Sequence, residues 1–547
     1  MASADMPVER TMFVRKATGL VKGWSVFDAF IYSAFAINLM ALGFGYAFTT
    51  TAFLPKGALI AAIILSGLFI VFEVLVYASM IAVMPRAGGD YVWQTRVFGG
   101  GVGFVLAATG WWFILWHWVP IYAQILAIEV LQPVLTILGF TGTSAFHADW
   151  WPYSTTDGNG IFVASLVTAG IATAVVAMGM RTYARVQKWC FYGGMLGLVI
   201  MLGIFLTHSK SDFITAYNTS AHNLYGVHGD AYHGLISASD KAGTSSYPGF
   251  SSFPFKETFL LLPFMVFYNL WPNWGATLYG EVRGASDFRK NIYAMGGALI
   301  ATTIAAVIML SLFAKTFGWD FYNASNNGYW SGEGPLGIFP YPGLLTAFLM
   351  DGAFWQFLLI SLLALWFFGW VGTVFLSSTR VVFAAAFDRV LPEAAAKVTR
   401  NGVPIVAIML MLIPSIPIAY FYAYNTDFYS WTLAATQVIA ITFAGSAIAA
   451  LIFPWRRPDV YNASPIARYK VAGLPLISVA AFAFLVILGF ALYEWFTNDL
   501  YAVNDRNTLI YMGSFYVLAL VIYFGSRLYR RNQGIDMRMV HSEIPAE

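Results

Sequence analysis

Pro85–Phe104 reads PRAGGDYVWQTRVFGGGVGF and lies between two long apolar runs, and this short polar stretch decides the fold of the chain. A second stretch of the same kind, SSTRVVFAAAFDRVLPEAAAKV, covers Ser377–Val398. Each places arginine, aspartate and small residues directly beside long runs that carry very little charge. We interpret both stretches as connections between membrane spans on one side of a bilayer.

The composition indicates a membrane protein. Of the 547 residues, 59% are hydrophobic, 18% are aromatic and 10% are charged. A soluble domain carries about 25% charged residues, so this chain has too few charges to cover a surface in water. The net charge of +3 gives no reason to expect a nucleic acid partner, and the single cysteine, Cys190, excludes an intramolecular disulfide bond. We therefore expect membrane lipids to surround the chain.

Twelve apolar runs are long enough to cross a bilayer, whose core of about 30 Å requires about 20 residues of helix. We number them as spans 1 to 12. They cover residues 25–49, 57–84, 103–139, 160–180, 184–207, 255–279, 291–317, 353–386, 403–423, 430–454, 474–496 and 508–529. The length and continuity of these runs exclude a β-barrel, whose strands are short and alternate in polarity.

The positive charges are distributed unevenly between the two sides of the predicted bundle. An even number of spans places both termini on one side, and 24 of the 30 Lys and Arg residues fall on that side. The other six are Lys56, Lys210, Lys241, Lys256, Lys315 and Arg506. Because basic residues accumulate in cytoplasmic loops, the sequence predicts a multi-pass protein of the plasma membrane with its N- and C-termini in the cytoplasm.

The centre of span 6 reads FYNLWPNWGATLYG and contains Asn269, Pro272, Asn273 and Gly275. Proline lacks an N–H group and its ring clashes with the preceding helical turn. Asparagine and glycine tolerate non-helical backbone. The sequence therefore predicts an unwound segment inside this span, with a kinked but continuous helix as the alternative.

Three ionisable residues lie deep inside predicted spans: Glu73 in span 2, and His117 and Glu129 in span 3. Ionisable groups inside a bilayer are costly and usually functional. A carboxyl group in apolar surroundings binds its proton more tightly than it does in water. These three residues are therefore candidates for proton coupling. The alternative is a neutral side chain that satisfies the backbone of a broken helix.

Five motifs follow one another in the predicted cytoplasmic connections. They comprise Gly88, Gly89, Tyr91, Arg96, Gly99, Gly103, Phe104 and Gly110-Trp111 after span 2; Gly179 and Val186-Gln187 between spans 4 and 5; Glu281-Val282 and Arg289 after span 6; Ser378, Arg380, Ala384–Ala386, Asp388 and Leu391-Pro392 after span 8; and Gly402-Val403-Pro404 before span 9. In residue type and order, the chain resembles the amino acid permeases of the amino acid–polyamine–organocation superfamily over nearly its whole length.

The resemblance implies an all-α integral membrane protein with twelve transmembrane helices, of which ten form the inverted five-plus-five repeat of the LeuT-type fold and two are peripheral. The expected divisions are a cytoplasmic N-terminal segment (1–23), a first repeat of spans 1–5 (24–207), a long external loop (208–254), a second repeat of spans 6–10 (255–454), spans 11 and 12 (474–529) and a cytoplasmic tail (530–547). In that fold, spans 1 and 6 are broken at mid-membrane, and free backbone groups at the breaks bind the substrate.

The same resemblance implies a secondary transporter, not an enzyme, that moves amino acids or related small organic solutes by alternating access coupled to protons. The expected substrate-binding residues at the two breaks are Ser33, Asn38, Tyr268, Asn269, Trp271 and Asn273. Trp116 and Trp271 are the expected gates, since an ammonium group gains a cation–π contact from an indole ring. Arg380 and Asp388, at the cytoplasmic end of span 8, are expected to form an inner gate or a loop-fixing pair.

The chain departs from the family pattern in two spans. Ser33–Ala41 contains no glycine where many of these permeases have a glycine-rich motif, so Asn38 is the residue expected to interrupt span 1. Gly193 and Gly194 stand where some proton-coupled members carry a lysine. Two alternatives stay open: a polyamine or organic-cation carrier or exchanger, and a non-transporting membrane subunit or sensor that retains the fold. The sequence contains no metal, cofactor or nucleotide motif and indicates no oligomeric state.

Overall fold

The computed structural model describes residues 20, 22–140, 158–243, 253–332, 334, 336–432 and 434–544. Within these residues the chain is almost entirely helical, and one small hairpin joins β1 (Lys470–Val471) to β2 (Leu474–Pro475) in antiparallel register. The turn between them, Ala472-Gly473, has φ angles of 48° and 81°. This is the left-handed conformation that a two-residue hairpin turn requires.

The α-helices of the described residues are numbered here in chain order. They are α1 (Val26–Ile37), α2 (Leu59–Val83), α3 (Asp90–Phe98), α4 (Gly100–Ala108), α5 (Trp118–Leu126), α6 (Gln132–Ile137), α7 (Gly158–Ala177), α8 (Met180–Thr207), α9 (Lys210–Tyr225), α10 (Ala231–Lys241), α11 (Phe255–Asn269), α12 (Phe288–Thr316), α13 (Trp319–Ser331), α14 (Pro342–Ala347), α15 (Ala353–Trp370), α16 (Thr373–Phe387), α17 (Ile405–Tyr424), α18 (Thr426–Thr432), α19 (Ala435–Arg456), α20 (Pro458–Asn462), α21 (Leu476–Thr497), α22 (Arg506–Asn532) and α23 (Met537–Ser542). Helical segments of 3-10 or π type occur at Leu39–Phe44, Ala47–Ala52, Thr109–Phe113, Ile114–His117, Ala127–Leu131, Pro272–Glu281, Glu393–Ala396 and Asp499–Tyr501. Most of these segments interrupt predicted spans 1, 3 and 6.

Eleven helical runs in the described part of the chain are long and apolar enough to cross a membrane. They are Val26–Ala52, Leu59–Val83, Gly100–Ile137, Gly158–Ala177, Met180–Thr207, Phe288–Thr316, Ala353–Phe387, Ile405–Tyr424, Ala435–Arg456, Leu476–Thr497 and Arg506–Asn532. Each coincides within a few residues with a predicted span, so the chain is a multi-pass membrane protein. Span 6 is divided into α11 and the 3-10 segment Pro272–Glu281, neither long enough alone. The total of twelve crossings and the inverted repeat stay predictions.

Span 1 is interrupted at Asn38, as the sequence predicted. Helix α1 begins with a capping box in which Ser25 and Asp28 bond each other's backbone N–H groups. It ends at Asn38, whose φ of 47° is left-handed and whose side-chain oxygen accepts a hydrogen bond from the Ala41 N–H at 3.0 Å. Asparagine adopts this conformation more readily than other non-glycine residues because its side chain bonds the local backbone.

The glycine pair of the stretch Pro85–Phe104 lets the chain approach the broken span 6. The Gly88 N–H donates to the Thr277 carbonyl oxygen at 2.8 Å. Gly88 has a φ of 99°, and a Cβ placed there would lie 2.5 Å from the Ala384 Cβ. At Gly89, with a φ of 39°, a Cβ would lie 2.9 Å from the Ala276 carbonyl. Glycine is therefore needed at both positions, because the backbone has a positive φ angle and because a Cβ atom would overlap with neighbouring atoms.

The segment 208–254, predicted as one long external loop, contains the two helices α9 and α10. Ser209 caps α9 together with Asp212 in a second capping box. Helix α10 packs on α13, where the Tyr232 and Phe321 rings stack 4.8 Å apart. This segment is therefore a packed helical pair over part of its length, formed by local caps and an aromatic contact.

The C-terminal helix α23 packs against α3 and α4. The Arg96 Nε–H donates to the Glu543 carbonyl oxygen at 3.1 Å. The His541 Nε2 lies 3.4 Å from the Tyr91 hydroxyl. The predicted tail 530–547 is thus attached to the connection after span 2 through its described residues.

We expect Gly88→Ala to lower the free energy of unfolding by about 2 kcal/mol, because it adds both backbone strain and overlap with Ala384. Thermal unfolding of the purified protein in detergent measures this change. Gly170→Ala is the matched control, since Gly170 is helical and a Cβ there meets no atom within 4 Å. Equal melting temperatures for the two variants would contradict this account of the motif.

Candidate functional site

The interrupted spans 1 and 6 satisfy each other's polar groups at the centre of the bundle. The Ser33 hydroxyl donates to the Pro272 carbonyl oxygen at 2.7 Å. The Asn38 amide nitrogen donates to the Trp366 carbonyl oxygen at 3.2 Å. A broken helix leaves N–H and C=O groups without helical partners, and these side chains replace part of that bonding. The two breaks therefore lie side by side and form one site.

Helix α16 joins this centre through hydroxyl groups. The Tyr32 hydroxyl donates to the Thr373 carbonyl oxygen at 2.8 Å and lies 2.6 Å from the Ser377 hydroxyl. The Ser377 hydroxyl donates to the Trp274 carbonyl oxygen at 3.0 Å. Span 1, span 6 and α16 are thereby connected in one buried hydrogen-bond network.

A small cavity, called the inner cavity, lies between the two breaks. It is lined by Ala36, Leu42, Trp118, Tyr122, Trp271, Trp274, Trp370 and Val374. Its volume is about 10 Å³, which is close to the smallest space that holds one water molecule. The indole N–H groups of Trp118, Trp271 and Trp274 have no hydrogen-bond partner among the described residues. Indole N–H groups are therefore available as hydrogen-bond donors around the inner cavity, which the tryptophan side chains almost fill.

A larger cavity of about 350 Å³, called the outer cavity, adjoins the inner one. This volume lies within the range of small-molecule sites. Leu42 and Trp118 line both cavities and therefore separate them. The outer cavity is mainly apolar and aromatic, with Phe264, Phe267 and Trp495 in its wall and Gln124 and Gln437 among its few polar groups.

The predicted substrate-binding residues of span 6 face different directions. Trp271 lines the inner cavity. The Tyr268 hydroxyl lies 3.4 Å from the Thr302 carbonyl oxygen, and the Asn269 amide donates to the Ser66 hydroxyl at 3.1 Å, so both side chains are directed to neighbouring helices. Both amide atoms of Asn273 are buried without a hydrogen bond among the described residues. Trp271, Asn273 and Trp274 therefore have side-chain polar groups at the break that are not used in hydrogen bonds among the described residues, and so does the Asn269 Oδ1 atom.

Two span 3 candidates lie at the periphery. Trp116 packs against Phe515 in α22 with ring centroids 6.2 Å apart, and it does not line either cavity. The His117 Nε2 lies 2.7 Å from the Tyr511 hydroxyl, also in α22. Trp118 is the span 3 tryptophan that contacts Trp271, with ring centroids 5.9 Å apart. The structure thus places Trp118, rather than Trp116, opposite the other predicted gate.

Glu129 lies beside the second half of the broken span 1. A Cβ added to Gly45 would lie 2.4 Å from the Glu129 Oε1, so glycine is needed for this approach. Gly45 also lines the outer cavity. Glu129 Oε1 has no hydrogen-bond partner among the described residues. A carboxyl group therefore lies directly behind the wall of the outer cavity.

Glu73 belongs to a cluster of buried polar side chains that lie in different segments and could not be brought together from the sequence. Both of its carboxyl oxygens lack hydrogen-bond partners among the described residues. One helical turn further along α2, the Tyr77 hydroxyl donates to Asp90 Oδ1 at 2.6 Å. The Ser446 hydroxyl of α19 donates to the same oxygen at 2.5 Å. Asp90 precedes the apolar run of span 3, and burial raises its pKa to about 6 although both hydroxyls favour the charged form.

Arg380 and Asp388 do not pair with each other, which corrects the expectation of one loop-fixing pair. The Arg380 guanidinium donates to both carboxylate oxygens of Glu281, at 2.6 and 3.2 Å. The Arg96 guanidinium donates to both oxygens of Asp388, at 2.5 and 3.0 Å. We call this end of the bundle the basic face. Its two buried ion pairs tie the connection after span 6 to α16, and α3 to the end of α16.

The residues missed by sequence reasoning are Trp118, Tyr77 and Asp90. Asp90 begins a helix directly after a glycine pair, which is the usual position of an acidic residue that stabilises a helix N-terminus. The structure instead directs its carboxyl group to Tyr77 and Ser446. A polar residue between two apolar spans was the available signal.

In the described part of the chain, eleven apolar helical runs and two interrupted helices with a cavity between their breaks define a multi-pass integral membrane protein. The chain belongs to the amino acid permease family, whose model matches residues 27–523. It is also similar to the branched-chain amino acid permease BcaP of Lactococcus lactis subsp. cremoris (strain MG1363), with 22% identity over 499 residues that cover 89% of this chain and 92% of the relative. The family inferred from the motifs is confirmed, and with it a role in amino acid transport.

Removing one partner of the Arg380–Glu281 pair would leave a buried charge without compensation. We expect Glu281→Gln to lower the free energy of unfolding by about 3 kcal/mol or more, as measured by thermal unfolding in detergent. Adding Arg380→Met should recover part of this loss, because the uncompensated charge is then removed.

The control is Asp459→Asn, which breaks the exposed pair of Arg457 and Asp459. Exposed ion pairs contribute little to stability, so its melting temperature should stay close to that of the unmodified protein. A loss as large as that of Glu281→Gln would show that the buried pair has no special role.

Proposed function

We propose that this chain carries a neutral amino acid with an apolar side chain across the plasma membrane by alternating access, with coupling to protons. The observation that supports this proposal best is the inner cavity, because it lies where the two interrupted helices meet and is bounded by Trp118, Trp271 and Trp274. Unpaired backbone groups at such breaks and the three indole N–H donors suit a carboxylate. The tryptophan faces suit an ammonium group.

The walls of the cavities favour an apolar side chain over a polyamine. None of the described residues that line the inner or the outer cavity is charged. A polyamine or organic cation gains most from carboxylates in its path, and the nearest one, Glu129, lies behind Gly45. The name of the relative, a branched-chain amino acid permease, agrees with this choice. We therefore take leucine, isoleucine and valine as the first substrates to test.

Alternating access in this proposal moves the walls around the breaks. The outer cavity leads to the partition formed by Leu42 and Trp118, which is the proposed outer gate. The ion pairs Arg380–Glu281 and Arg96–Asp388 are the proposed inner gate at the basic face. If the basic face is cytoplasmic, as the charge distribution predicts, substrate enters from the outer cavity and leaves when these pairs separate.

A non-transporting subunit or sensor is the second candidate function, because the tryptophans reduce the inner cavity to about 10 Å³. A transporter requires that Trp118 and Trp271 move apart to admit a substrate. A non-transporting relative would keep them packed. Uptake into vesicles separates the two functions directly.

The test is uptake of labelled leucine by the purified protein in proteoliposomes, with isoleucine, valine, lysine and putrescine as unlabelled competitors. We expect leucine uptake, inhibition by isoleucine and valine, and no inhibition by lysine or putrescine. Trp271→Ala should reduce the uptake rate about tenfold or more, since it removes one wall and one donor of the inner cavity.

Trp189→Ala is the matched control, because Trp189 is 73% exposed on α8 and contributes to neither cavity. Equal loss in the two tryptophan variants would remove the inner cavity from the proposal. Inhibition by putrescine alone would favour the amine carrier, and failure to take up any tested solute would favour the non-transporting subunit.

A further inference from the structure

We propose that Asp90 is the proton-binding group of the transport cycle, with Glu73 as the second carboxyl group of the same buried site. This inference rests on the proposed function and specifies which residues carry its coupling proton. It assigns a role to a residue that lies outside the apolar spans. It also selects Glu73 from the three ionisable candidates that the sequence offered.

The hydrogen bonds of Asp90 leave one oxygen available for a proton. Oδ1 accepts from the hydroxyls of Tyr77 and Ser446 at 2.6 and 2.5 Å. The Gln94 amide donates to the Ser446 hydroxyl oxygen at 2.8 Å, which directs the Ser446 hydrogen towards Asp90. Oδ2 is buried without a hydrogen-bond partner among the described residues. Oδ1 is thus placed as the carbonyl oxygen of a neutral acid, and Oδ2 as the oxygen that binds the proton.

The site contains two carboxyl groups and no described cation that pairs with them. Asp90 and Glu73 are both 0% exposed, and neither takes part in an ion pair among the described residues. Asp90 is close enough to Glu73 for its charge to act on the Glu73 carboxyl group. Two ionised carboxylates in this position repel each other, and each is costly to desolvate. The pair therefore binds at least one proton in the closed state.

The other ionisable groups near α3 are engaged elsewhere. Helix α16 contributes Arg380, which bonds to Glu281, and Asp388, directly after this helix, bonds to Arg96. Helix α23 contributes His541, which lies 3.9 Å from Asp388 on the basic face. Helix α2 contributes Tyr77 in addition to Glu73. Among the described residues, the groups that face Asp90 are thus a second acid, the Tyr77 and Ser446 hydroxyls and the Trp111 indole N–H, and none of them is a cation.

Tyr77 connects this site to the break in span 6. Its hydroxyl donates to Asp90 and also interacts with the Asn273 side chain, whose amide atoms are otherwise unused. A substrate that occupies Asn273 would change the environment of the Tyr77 hydroxyl and, through it, the proton affinity of Asp90. The proton enters on Oδ2 of Asp90 from the outer solution and leaves to the inner solution when the basic face opens. On entry, an O–H bond of a hydronium ion breaks as the Oδ2–H bond forms; on release, the Oδ2–H bond breaks as the proton passes to water.

Because the pKa of Asp90 is about 6, Asp90 is protonated below about pH 6 and loses its proton above it. Leucine uptake into proteoliposomes with an internal pH of about 7.5 should therefore rise as the external pH falls through about 6. Proton entry, followed with a pH-sensitive dye inside the vesicles, should accompany leucine entry.

The decisive comparison uses two assays on each variant. Asp90→Asn should keep leucine counterflow without a pH gradient within about twofold, and should lose stimulation by an inside-alkaline gradient and the dye signal. Glu73→Gln should reduce the stimulation in the same assay. Asp320→Asn is the matched control, since Asp320 is exposed on α13, and it should behave as the unmodified protein. Full gradient stimulation in Asp90→Asn would overturn the proposal.

If Asp90→Asn is inactive in both assays, the variant Ser446→Ala tests the proposal instead. It keeps the carboxyl group but removes a donor that stabilises its charged form, so the pKa of Asp90 rises and the pH midpoint of uptake should move upwards. An unchanged midpoint would overturn the proposal. The unmodified protein could show leucine counterflow that a proton gradient does not stimulate, or that a sodium gradient stimulates instead. Either result would reject the proton site and would leave the proposal of amino acid transport intact. Absence of counterflow would reject the proposed function itself.

Discussion

The structure depends on one constraint: polar backbone groups inside a bilayer must find partners within the protein, because no water is available there. An uninterrupted helix meets this constraint by itself, whereas spans 1 and 6 are both broken. The Ser33 hydroxyl bonds to the Pro272 carbonyl oxygen, and Asn38 bonds to Ala41 and Trp366. Each break is therefore stabilised by the other break or by α15, which fixes their positions. The inner cavity between them is a consequence of this arrangement.

The same constraint explains the two ends of the bundle. Buried ion pairs close the basic face, and their charges are compensated within the protein by bidentate contacts such as Arg380–Glu281. On the opposite side, Leu42 and Trp118 line both cavities and form the proposed outer gate, and no charged residue is among the described residues that line either cavity. The bidentate ion pairs of the basic face have one specific geometry, whereas apolar side chains can pack in several ways. This difference suits a chain in which substrate enters past side chains and leaves by separation of ion pairs.

Local chemistry made part of this architecture predictable from the sequence. Hydropathy predicted twelve spans, and eleven of them coincide with apolar helical runs in the described residues. Proline and asparagine indicated the two breaks. Both effects act within a few residues. Span 3 was less predictable, since the π segment Thr109–Phe113 and the 3-10 segment Ile114–His117 change its helical register. Periodicity alone therefore did not show that Trp118, rather than Trp116, faces the cavity. The partners of Arg380 and Asp388 depend on contacts between distant segments, which a single sequence does not specify.

Asp90 and Glu73 differ from the ion pairs in a way that stability does not explain. A buried charged group is normally paired, and replacing it by an apolar residue of similar size is often neutral or stabilising. Arg380, Glu281, Arg96 and Asp388 follow this rule by pairing. Two acids without a described cation remain costly unless one of them holds a proton. This cost distinguishes Asp90 and Glu73 from the buried ion pairs, and it is the cost that the proposed proton site requires, because a group that binds and releases a proton cannot be held permanently by a cation.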